Sequence, residues 1–209
     1  MDLREGRRKY IGYAVLLVAG LASFGFVPHS PRFQLSDGKP GWDQLRNPPG
    51  RATAFETRLG EVASGIAGRN VSVRCDDLSW LSNSAEPGGA VQFSGDRPAN
   101  YARIRYDMCT KLGRLSLDHG AGGFAEAQAV EVLAHESFHL RGVKNEAAAE
   151  CYALQFVARV ARQLGATATN AEELYAFALE GYPRHPTQYL SRECRPGGAL
   201  DLDGGFPAS

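Results

Sequence analysis

The chain has no excess of charge of either sign: 23 Lys and Arg are balanced by 23 Asp and Glu over 209 residues. No basic patch stands out beyond the N-terminus, so the electrostatic footprint that nucleic acid requires is missing. There is no Gly-rich phosphate loop and no G-x-S-x-G elbow, which leaves phosphate cradling and that type of serine nucleophile without support. No internal repeat is visible. Only four cysteines occur, none with C-x-x-C spacing, which argues against a thiolate metal site. Histidine is scarce too, with five in the whole chain.

Two of those five stand together in His135-Glu136-Ser137-Phe138-His139, which spells H-E-x-x-H. On a helix, positions i and i+4 lie one above the other on the same face. Two imidazoles stacked this way can each offer a ring nitrogen to one zinc ion at roughly 2.0–2.1 Å. Glu136 falls one step round the helix, where it suits a general base acting on a water at the metal. The surrounding segment, Phe124 to Leu140, has no Gly or Pro and is rich in Ala, Leu and Glu, so a helix is predicted there. Its second half leaves little polar surface, as expected of a helix buried on most sides. Gly142 stands where a C-terminal glycine stop is expected.

A catalytic zinc needs a third protein ligand and an open position. A second helix is predicted from Asn145, a good N-cap, to about Leu164. Glu146 and Glu150 share a face in its first turns. The motif Glu146-Ala147-Ala148-Ala149-Glu150, seven residues after His139, resembles the second motif of the gluzincin group of zinc metallopeptidases. There, E-x-x-A-D or a close variant follows H-E-x-x-H on a later helix. The resemblance covers roughly residues 124–165. It implies that His135, His139 and Glu146 hold one Zn2+, that Glu136 is the general base, and that Glu150 holds the N–H of a ligand histidine. Two departures matter. Glu150 stands where the group mostly has Asp, so the roles of Glu146 and Glu150 could be exchanged. The link between the motifs is also short, and must turn tightly over Arg141–Lys144.

The N-terminus bears on location. Residues 10–27 carry no charge and follow Arg4, Arg7, Arg8 and Lys9. That run is near the lower length for spanning a bilayer, and the positive-inside rule keeps residues 1–9 in the cytoplasm. A clear A-x-A cleavage site is lacking before Pro28, which favours a signal anchor over a cleaved signal peptide. The cysteines agree with export, because an even number suggests disulfides. The expected pairs are Cys75–Cys109, both at the ends of strand-like runs, and Cys151–Cys194.

Residues 28–50 are rich in proline and read as a linker. A single α+β domain over 51–194 is expected, and 195–209 reads as a mobile tail. Within the domain, Thr53 to Gly68 shows helical periodicity. Val71–Cys75, Ala90–Ser94 and Tyr101–Met108 look extended. The resemblance implies a zincin-like fold, a small sheet on the H-E-x-x-H helix, and an edge strand that pairs with a peptide substrate. Tyr101–Met108 is the candidate for that strand. Asn170 to Glu173 reads as a capping box opening a further helix. Beyond it, Tyr182, His185 and Tyr189 are candidates to steady an oxyanion, with His185 taken as catalytic alongside Glu136. The expectation is thus a membrane-anchored or secreted extracytoplasmic zinc metallopeptidase acting on a peptide or protein. The alternative is an exported non-catalytic scaffold of the same fold with a structural metal.

Overall fold

The computed structural model describes residues 50–76, 88–202 and 206. The expected basic segment, membrane segment and all but the last residue of the linker lie outside these residues. Among the described residues, no helix is long and apolar enough to cross a membrane.

The expected α+β class is observed. Helix α1, Ala54–Ala67, starts at a capping box. Thr53 Oγ1 accepts from the Glu56 amide at 3.1 Å, and Glu56 Oε2 accepts from the Thr53 amide at 2.8 Å. Gly68 ends the helix in the left-handed region, at φ 70°. Strand β1, Ser72–Asp76, follows, and Glu56 Oε1 accepts the amide of Cys75 at 2.9 Å, fastening the strand to the start of α1.

The short strands β2, Gly89–Ala90, β3, Phe93–Ser94, and β4, Arg97–Pro98, lead to β5, Tyr101–Arg105. The main sheet has the order β1-β5-β2, with β1 parallel and β2 antiparallel to β5. Strands β3 and β4 form a separate hairpin. The single extended run expected over Ala90–Ser94 is therefore two strands in two sheets.

The structure departs from two further expectations. The strand expected over Tyr101–Met108 stops at Arg105, and helix α2, Tyr106–Leu117, begins at once. Met108, Cys109, Leu112 and Leu115 fall at helical spacing and are buried, which outweighs the short run of β-formers before them. Asp107 also favours the helix start, where it pairs with Arg105 and Lys111. In addition, β5 is the central strand of its sheet. Among the described residues the sheet's edge strands are β1 and β2.

Helix α3, Phe124–Arg141, carries H-E-x-x-H. Helix α4, Glu146–Gln163, is capped by Asn145, whose Oδ1 accepts from the Ala148 amide at 2.9 Å. Helix α5, Ala168–Gly181, starts from Thr167 rather than Asn170. Thr167 Oγ1 accepts the Asn170 amide, and the Asn170 side chain instead donates to the His119 carbonyl at 3.0 Å.

Helix α3 lies at the centre. It packs on α1, α2, α4 and α5, and Val130, Leu133, Ala134 and Leu140 are buried there with Leu59, Leu112, Leu154, Val157 and Leu174. Arg69 closes one end of this core by donating to the carbonyls of Leu140 and Ala99.

Both expected disulfides are present. Cys75–Cys109 joins β1 to α2, with the Cα atoms 6.0 Å apart. Cys109 is thus helical, not the end of a strand. Cys151–Cys194 joins α4 to the C-terminal segment, with the Cα atoms 5.4 Å apart. Residues just beyond, expected as a mobile tail, are tied to α4: Gln155 Nε2 donates to the Leu200 carbonyl at 2.9 Å, and Gln155 Oε1 accepts from the Leu202 amide at 2.8 Å.

Candidate metal centre

Helical spacing brings His135 and His139 edge to face, with ring centroids 4.5 Å apart and planes at 82°. Each ring is held from behind. His139 Nδ1 donates to the Val143 carbonyl at 2.6 Å. That carbonyl is aimed by the tight turn after α3, where Gly142 adopts φ 110° and the Val143 amide returns to the Phe138 carbonyl. The short link is therefore part of the site. His135 Nδ1 donates to Glu150 Oε2 at 2.5 Å.

With Nδ1 carrying the proton on both rings, a neutral imidazole presents a bare lone pair at Nε2. Both Nε2 atoms face the same oxygen: Glu146 Oε2 lies 3.1 Å from that of His135 and 3.2 Å from that of His139. When both imidazoles are neutral, three acceptors thus converge, and such a set is stable only around positive charge, carried by a proton or a metal ion. Burial pulls the His135 imidazole down, yet Glu146 and Glu150 outweigh it and lift it to about 10. His135 and His139 together hold the Glu146 carboxyl down at about 2. The site draws positive charge to the point where the three ligand atoms meet within 4.8 Å. Two imidazole nitrogens and a carboxylate oxygen are a donor set suited to zinc.

Of the two arrangements open in the sequence, Glu146 occupies the converging position and Glu150 the position behind His135. Glu136 is fully enclosed beside them. Its Oε2 has no hydrogen-bond partner among the described residues, and burial raises its carboxyl above the ordinary range. The backbone of β2 presses directly on it: a Cβ placed on Gly89 would stand 2.5 Å from Glu136 Cγ. A side chain at position 89 would push the Glu136 side chain out of this position.

Comparison with protein-family models, with curated proteins and with solved structures returned no match. The reading of the site therefore stands on its geometry.

The three residues expected across the cleft are placed differently from one another. Tyr189, in the 3-10 turn Thr187–Tyr189, lies nearest the histidines, with its ring 5.7 Å from that of His135. Burial raises its phenol above the usual value, with Glu146, Glu150 and Glu136 adding to the effect. Tyr182 is engaged elsewhere, its oxygen accepting the Ser191 amide at 3.0 Å. His185 turns to carboxylates: Nδ1 donates to Glu150 Oε1 at 2.6 Å, and Nε2 faces Glu131 Oε2 at 3.9 Å.

Glu131 was not singled out in the sequence. It is buried, and burial followed by the charge of Glu150 raises its carboxyl well above the ordinary range. The available signal was spacing, since Glu131 lies one helical turn before His135 on the same face. On the far side, Phe93 from the β3–β4 hairpin meets His139 edge-on, with ring centroids 6.0 Å apart.

Proposed function

We propose that the chain is a zinc-dependent peptidase of zincin-like fold. The observation that carries this reading is the convergence of the two imidazole Nε2 atoms on the Glu146 carboxylate, beside the enclosed carboxyl of Glu136. His135, His139 and Glu146 would hold the ion. Zinc at such a site acidifies a bound water and polarises a carbonyl.

The chain's own groups supply the rest. Glu136, with its proton affinity raised by burial, would take a proton from the water and deliver it to the departing amine. Tyr189 keeps its phenolic proton at neutral pH and would donate a hydrogen bond to the oxyanion. That role passes to Tyr189 because both nitrogens of His185 face carboxylates. His185 would instead brace Glu150, and through it His135.

Strand β2 starts beside Glu136 at Gly89 and is an edge strand among the described residues. An extended peptide pairing with that edge would bring a backbone carbonyl towards the site, which favours a peptide as substrate. Two disulfides and the uncharged run 10–27 favour an extracytoplasmic domain tethered at its N-terminus.

The test uses the full-length protein and a mixed peptide library. Glu136→Gln should retain zinc and lose hydrolysis by about 10²-fold or more, since the proton acceptor is gone while the ligands remain. His139→Ala should lose the ion. A Glu136→Gln protein that cleaves as the parent does would defeat the mechanism. A parent that holds zinc and cleaves nothing would favour the scaffold reading.

A further inference from the structure

Behind His135 lies a second convergence of charged groups. Glu131 on α3, Glu150 on α4 and His185 just after the 3-10 turn Tyr182–Arg184 each bring one ligand atom into a space 4.8 Å across. Glu150 belongs to both sets, with Oε2 on His135 and Oε1 on His185.

Glu131 is the unresolved member. Its side chain is 4% exposed, and Oε1 has no hydrogen-bond partner among the described residues. Oε2 stands 3.9 Å from His185 Nε2, too far for a hydrogen bond. An ionised Glu131 would stand enclosed beside the Glu150 carboxylate, with no hydrogen-bond donor of its own among the described residues. A protonated Glu131 fares little better, because its hydroxyl finds no acceptor at hydrogen-bonding distance among the described residues. A cation roughly 2.0–2.2 Å from each ligand atom would give the Glu131 carboxylate the partner it lacks and offset the repulsion between the carboxylates. Ligand atoms around such an ion stand about 3–4 Å apart; Glu131 and His185 stand at 3.9 Å, and the His185–Glu150 hydrogen bond at 2.6 Å opens as the ion enters.

We propose that Glu131, Glu150 and His185 form a second divalent-cation site, separate from the His135–His139–Glu146 set. One imidazole and two carboxylates suit a borderline dication such as zinc, and the richer oxygen share makes this the weaker of the two sites. Its place in the fold indicates what it does. The ion ties the segment after α5 to both motif helices. That segment carries Tyr189 four residues beyond His185. Filling the second site therefore fixes Tyr189 over His135 and stiffens Glu150 against the same ring. It requires no catalytic step at the first site.

The experiment is zinc stoichiometry on full-length, untagged protein, stripped and then equilibrated against a competing chelator. The parent should bind two equivalents. Glu131→Gln, which keeps the shape and removes the charge, should bind one, and so should His185→Asn. His139→Ala should also bind one, at the other site. A parent that binds a single equivalent unchanged by Glu131→Gln overturns the proposal, since Glu131 then holds only a proton or solvent. Two equivalents that persist through both Glu131→Gln and His185→Asn overturn it equally, because the second ion then lies elsewhere. Should Glu131→Gln fail to fold, stepwise Co2+ addition to the parent decides: breaks in absorbance at one and two equivalents support the site, and a lone break at one overturns it. The two readings fail separately. If His139→Ala leaves the metal count unaltered while Glu131→Gln lowers it, the peptidase reading falls and the second site stands.

Discussion

Glu150 Oε2 accepts a hydrogen bond from His135 Nδ1 at 2.5 Å, and both side chains are buried. The bond fixes which nitrogen of His135 is free to meet a metal. It also sets the plane of the ring, since Glu150 is held in turn by His185. Removing such a partner typically lowers metal affinity about 10–100-fold. Glu150→Ala should do so at the His139-dependent site. Measuring it by chelator competition in a Glu131→Gln background confines the readout to that site. Glu150→Asp, one methylene shorter, should fall between parent and alanine. Unchanged affinity in Glu150→Ala would mean that the ring needs no support from behind.

Gly89 is required by space rather than by backbone conformation. An added Cβ would lie 2.8 Å from Glu136 Oε1 and 2.5 Å from its Cγ, so the Glu136 side chain would have to move. Gly89→Ala should therefore displace the Glu136 carboxylate while leaving His135, His139 and Glu146 in place. The expected outcome is normal zinc content with peptide hydrolysis reduced by at least about tenfold, as misplaced catalytic groups lose rate steeply. Loss of zinc together with activity would show that β2 supports the whole centre.

Much of this was readable in advance, for local reasons. H-E-x-x-H, Glu146 and Glu150 act through i, i+4 spacing on helices whose caps, Asn145 and Gly142, are themselves sequence signals. The cysteine pairs followed from count and order. What escaped depended on distant contacts. The chain's passage from β5 into α2 is decided by burial of Met108, Leu112 and Leu115 against other elements. Strand order within a sheet has no local signature, so β5 could not be known as central. Glu131 reads as an ordinary helical glutamate until α4 and the segment around His185 close over it. Thr167 displaced Asn170 as N-cap because both are competent caps and only tertiary contact, here with His119, chooses between them.

Tyr189 keeps its proton because burial and three neighbouring carboxylates oppose ionisation. A phenol in that state serves as a donor across the pH range in which Glu136 acts as a base. Tyr189→Phe removes the hydroxyl and keeps the ring beside His135. It should lower kcat by about 10²-fold with little change in zinc content or KM, the pattern for a group that acts chiefly on the oxyanion. A rise in KM at constant kcat would instead assign Tyr189 to substrate binding.

The two disulfides close loops of similar size, with sequence separations of 34 and 43 residues. In the chain-entropy picture each contributes about 2–4 kcal/mol by constraining the unfolded chain, so removing either should lower Tm by a comparable amount. Their positions in the fold differ, however. Cys75–Cys109 fastens β1 to α2, which bear none of the converging ligands. Cys151 directly follows Glu150, and its partner Cys194 anchors the segment that carries His185 and Tyr189. The Cys151→Ser/Cys194→Ser protein should thus lose zinc affinity and hydrolysis well below the temperature at which its helices melt. The Cys75→Ser/Cys109→Ser protein should retain both until global unfolding. Circular dichroism followed in parallel with zinc release separates the two behaviours. Coincident loss in both variants would mean that the C-terminal segment is held to α4 by packing alone, with Gln155 and the surrounding core sufficient to keep it there.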